Sequence, residues 1–168
     1  MVEMMVVVGI FCLLLAGVLL IYLFSVTSFA SMVSYSDMNR KSRYASDLIS
    51  RDIRSCLSIA SGTGNQLALS EPDDLGGPTT YTYDPNAGTL IRWKNGETKL
   101  LLSGVDSLSF AFYQRPNTNS PGAFEQYPAG TAANAKLISF QWSCSRFVRA
   151  LQTDSESIEA GRVDIRNQ

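Results

Sequence analysis

One carboxylate, Glu3, stands at the head of the apolar run MVEMMVVVGIFCLLLAGVLLIYLF, which carries no other charge; the next charged residue is Asp37. In hydrocarbon a carboxylate must stay at the interface, neutralise, or find a cation. If such helices bundle, the cation has to come from a neighbouring chain. An acid resting in the headgroup layer is the plain alternative. The cysteines form the second chemically interesting set. Cys12 lies inside the apolar run and reads as a packing residue, while Cys56 and Cys144 lie far downstream.

Other chemistry is thin. The chain has no histidine, so the commonest general base and metal ligand is missing. The serines therefore have no imidazole partner, and no lysine sits in a recognisable nucleophile motif. Ser61-Gly62-Thr63-Gly64 lacks the lysine and the following helix of a phosphate-binding loop. Asp73 and Asp74, in EPDD, have no spaced set of oxygen ligands around them and read as solvated acids rather than a calcium site. With a net charge of −1 and 17% charged residues, nothing suggests a nucleic-acid surface. Neither a cofactor nor an enzymatic activity is expected.

Glu3 is positioned by the run itself. From Met4 to Phe24 it spans about 30 Å as a helix, the thickness of a bilayer core. It is longer than the apolar region of a secretory signal, and nothing basic precedes it. It is therefore expected to remain as an anchor, residues 1–30. No proline or glycine occurs between Val18 and Ser61. Met38, Ala45, Leu48, Ile49, Ile53, Cys56, Leu57 and Ala60 recur at three- and four-residue spacing. Arg40, Lys41, Arg43, Asp47, Arg51, Asp52 and Arg54 lie mostly off that stripe. This predicts one helix of about 55 to 60 residues, apolar all round at first and amphipathic over 31–61, ended by Gly62 and Gly64.

Beyond Gly64 the period changes to two, predicting an antiparallel sheet over 66–166. Thr79–Tyr83, Thr89–Trp93 and Thr98–Leu102 read as a meander whose second turn is Asn95-Gly96. Val105–Tyr113 places Leu108, Phe110 and Phe112 on one face. Lys136–Cys144 does the same for Ile138, Phe140, Trp142 and Cys144. Residues 115–135 read as a long surface loop, Gln152–Glu159 as a polar connection, and Arg162–Ile165 as a last strand. The aromatics, Tyr81, Tyr83 and Trp93 among them, read as core rather than a carbohydrate platform. The apolar sheet face needs a cover, and the helix stripe is the one available, so the fold class is α+β, with a globular unit over 31–168. Cys56 on the stripe and Cys144 on its strand then point into one layer. They form either a disulfide or two separate buried thiols.

With these elements in place, the chain resembles the type IV pilin and type II secretion pseudopilin family. There a precursor is cut after a glycine, and the mature chain opens with phenylalanine, threonine, two apolar residues and a glutamate heading an apolar helix. Met1-Val2-Glu3-Met4-Met5-Val6 is similar to the last part of that pattern, with Glu3 at the family's glutamate. The segments RYASDLISRDIRSC, TYTYDPNAGTLIRW, VDSLSFAFY and VDIRN most resemble the J-type minor pseudopilins and W-type minor pilins. The resemblance implies a structural subunit of an inner-membrane pseudopilus, anchored by one span with its C-terminal domain in the periplasm. It implies other pseudopilin or pilin subunits as partners, with Glu3 the assembly residue. A pilus or DNA-uptake filament, or a single-pass protein with a ligand-binding β-domain, stays open beside it.

The sequence departs from the family at its start. The leader, its glycine and the first two mature residues are not present. A start codon placed late, a fragment, and a genuine unprocessed start are all compatible, and the last would put cleavage by a prepilin peptidase in doubt. Topology carries a second conflict. Arg40, Lys41 and Arg43 follow the span, which by the positive-inside rule alone puts the domain in the cytoplasm. Asp37 and Asp47 make that stretch a mixed-charge helix face, and the family's leader carries basic residues of its own, so the periplasmic side is expected.

Overall fold

The computed structural model describes residues 2–71, 77–114, 127–129, 131–148 and 151–165, with the backbone alone for 127, 146–148 and 151–158. Among the described residues a single α-helix, α1, runs Val2–Ser55. Nine strands follow among those same residues: β1 Ser58–Gly62, β2 Gln66–Ser70, β3 Thr79–Asp84, β4 Thr89–Lys94, β5 Glu97–Ser103, β6 Val105–Gln114, β7 Tyr127–Pro128, β8 Leu137–Val148 and β9 Leu151–Asp164. The architecture is α+β, a long helix packed against antiparallel sheet.

The expected single sheet is two. One has the order β1-β2-β3-β4-β5 and the other β7-β6-β8-β9. The chain turns between them in one residue, Gly104, whose φ of +74° suits glycine. A Cβ there would also lie 2.7 Å from the Ser145 carbonyl. That carbonyl's own residue donates its amide to Gly104 O at 3.0 Å, and Val105 N–H donates to Gly88 O at 2.9 Å. The corner is thus tied to both sheets. The meander forms as expected, with Asn95 and Gly96 both at positive φ (51° and 80°), as a two-residue hairpin of twist-matching type requires.

The helix ends at Ser55 rather than near Gly62. Ser58–Gly62 instead forms a hairpin with β2, pairing Ile59 with Leu69 and burying Ile59. Leu57 and Ala60 consequently face solvent. A β-branched residue among serines has little helix preference, and a ladder of long-range partners outweighs it. Gln152–Glu159, expected as a polar connection, is part of β9 and pairs with β8 through registers such as Thr153 with Arg146 and Glu159 with Trp142. Ladder bonds are made by backbone, so a polar sequence does not prevent a strand; it removes the alternation by which one is read. Of the stretch 115–135, residues 115–126 and 130 lie outside the described residues, Tyr127–Pro128 pairs with β6, and Ala132–Asn134 forms a 3₁₀ turn.

The core is one layer between helix and sheets. Met38, Ala45, Leu48, Ile49 and Ile53 line the helix side, and Leu67, Tyr81, Leu90, Ile138, Phe140 and Trp142 are among those facing them. Phe140 and Trp142 stack with ring centroids 5.3 Å apart. Phe140 also lies over its cross-strand partner Gly161, where an added Cβ would meet the ring at 2.3 Å.

Candidate functional site: a projecting helix with a carboxylate at its head

The first buried residue of α1 is Met38. No described residue before it is buried, and most are exposed. Among the described residues, this is the one helix long and apolar enough to cross a membrane. Its 54 residues extend about 80 Å at 1.5 Å per residue. The exposed apolar surface does not stop at Phe24: Phe29 and Met32 are 69% and 72% exposed, and Val33 and Tyr35 are exposed too. Two hydroxyls of this transition segment are satisfied within the helix. Thr27 donates to Phe24 O at 2.8 Å, and Ser31 donates to Thr27 O at 3.0 Å. Neither therefore carries an unpaired donor into an apolar setting. Glu3, in the first turn, is exposed. A carboxylate beside a helix N-terminus is favourably placed relative to the backbone dipole.

What holds the helix to its domain is partly polar. The cross-strand row Leu67, Tyr81, Arg92, Lys99 runs over β2 to β5. Asp52, buried on the helix, accepts from Tyr81 Oη at 2.6 Å and from Arg92 Nη2 and Nε at 2.6 and 2.9 Å. Two turns earlier, Tyr44 Oη accepts from Lys99 at 2.8 Å. Near the first buried turn, Trp142 Nε1 donates to the buried Ser42 Oγ at 2.7 Å. Burial opposes the charge on Arg92, but the hydrogen bonds and charges of Asp52 and Tyr81 together outweigh it and raise the guanidinium's affinity for its proton. Burial and Asp52 both hold the Tyr81 phenol protonated, well above its usual range. The apolar pattern misses Ser42 and sets Asp52 off the stripe; only their partners on β3, β4 and β8 place them in the core.

A second pair lies alongside. Glu71 accepts from Lys94 at 2.7 Å and from Thr79 at 2.7 Å. Burial acts against its ionisation, yet these hydrogen bonds prevail and hold its carboxyl below the usual range.

Cys56 and Cys144 are both fully buried in the shared core and no disulfide joins them. Cys56 donates its S–H to Ile53 O at 3.1 Å. Cys144 stands opposite Val105 on β6. Burial pushes each thiol up to about 11. Negative charge adds to the rise, from Glu71 and Asp52 at Cys56 and from Asp106 at Cys144. Asp73 and Asp74 lie outside the described residues. Among the described residues, no cluster of acidic or sulfur ligands could hold a metal ion.

No protein-family model, curated protein or solved structure matches the chain. Fold and site together define its class: an α+β protein in which a membrane-length helix continues, without a break, into the layer that covers a β-domain.

Proposed function

We propose that this chain is a minor pseudopilin, a structural and non-enzymatic subunit of the inner-membrane pseudopilus used in type II protein secretion. The observation that carries the reading is the continuity of α1 from Glu3 at its head to Asp52 and Ile53 in the domain core. An anchor alone needs about 20 apolar residues and tolerates a hinge after them. Here the uncharged exposed surface persists to Tyr35 with no hinge, which suits a helix packed by its neighbours in a filament. In this reading the protein is single-pass, with residues from about Ser31 onward in the periplasm. Its partners are other pseudopilin or pilin subunits, and prepilin peptidase if a leader precedes Met1. Glu3 is the assembly residue.

The same features suit a minor pilin of a type IV pilus or DNA-uptake filament, because they concern the filament rather than its use. A single-pass protein whose β-domain binds a ligand leaves the head carboxylate and the unbroken helix without a role. The test is the coding sequence upstream of Met1 together with the mass of the protein extracted from membranes. In-frame codons ending in Gly-Phe-Thr and a mature chain beginning at that phenylalanine are expected. An upstream stop codon with a mature chain beginning at Met1 overturns the reading.

A further inference from the structure

We draw no further inference here: the strongest candidate, the solvent-facing row of Ile91 and Leu100 on the β4–β5 edge of the five-stranded sheet, is a small apolar patch and nothing in the structure shows what covers it.

Discussion

Asp52 and Arg92, forty residues apart in sequence, meet at one oxygen: Oδ2 of Asp52 takes both the Nη2 and the Nε hydrogen bonds of Arg92. Tyr81, directly opposite Arg92 on β3, donates to the same atom. The side chains of Asp52 and Arg92 are only 4% and 14% exposed. Such a pair gives little net stability against apolar residues of the same size, because both ions lose their water. What it does impose is position: a helix rotated or shifted by one residue would bury the carboxylate against a sheet with no donor for it. The helix is thereby fixed in register on the first sheet, as Ser42 and Trp142 fix it on the second.

The buried stripe begins at Met38, and its partners all lie downstream of it. A fragment starting near Ser31 therefore contains the whole core. It is expected to be soluble and to unfold cooperatively on heating, followed by circular dichroism. Aggregated or unfolded products from several neighbouring start points would show that the bare helix is needed for folding.

In that fragment, Arg92→Ala leaves the Asp52 charge buried with the Tyr81 hydroxyl and only the exposed Arg51, 3.9 Å from its other oxygen. The expected cost is about 3 to 5 kcal/mol in a urea titration. Asp52→Ala added to Arg92→Ala should cost much less than Asp52→Ala alone, because the two changes remove one interaction. Additive losses would mean that the pair is not coupled in solution.

Ile53 is fully buried in mid-stripe, whereas the Arg51 side chain is 74% exposed. Ile53→Ala should cost roughly 2 to 5 kcal/mol and Arg51→Ala less than about 0.5. Equal losses at the two positions would place a different face of the helix against the sheets.

Features carried by local signals are legible in the amino-acid sequence alone. The Asn95-Gly96 turn, the alternation from Ile138 to Cys144 and the stripe from Met38 to Ile53 each need only neighbouring residues. What is not legible depends on distant ones. Ser42 is a poor core residue until Trp142, a hundred positions away, supplies its donor. Asp52 looks like part of a charged face until Arg92 and Tyr81 are opposite it. The helix stop at Ser55 follows from pairing of Ser58–Gly62 with β2, which nothing within α1 announces. Glu3 is legible for the opposite reason: its isolation in an apolar run is itself the signal.

The thiols give a pH-dependent prediction. In the folded state Cys56 and Cys144 stand at about 11, above the ordinary 9.0, because burial favours the neutral form. A folded value above the unfolded one contributes stability in full below about pH 9, and that contribution is lost as pH rises through about 11. In the Ser31 fragment, which lacks Cys12, neither thiol should react with an alkylating reagent near pH 8, where the thiolate is the reactive form. After unfolding without reductant both should react. Failure of both to label in the unfolded, unreduced protein would reveal a Cys56–Cys144 disulfide formed under oxidising conditions.

Glu3 supplies the test of assembly. In the proposed filament its carboxylate faces the N-terminal amine of an adjacent subunit inside the apolar bundle, where an ion is tolerated only beside its opposite. The span itself does not depend on that charge, since no other residue before Asp37 is charged. Glu3→Ala should therefore fractionate with the membrane at the wild-type level and resist carbonate extraction. The same variant should fail to cross-link to neighbouring subunits and should reduce secretion or filament formation. Glu3→Gln, which keeps the shape and loses the charge, should behave like Glu3→Ala if the ion pair is what matters. Normal assembly by both variants would leave Glu3 as an interfacial acid without a role in the filament, and the proposed function would rest on the continuity of α1 without it.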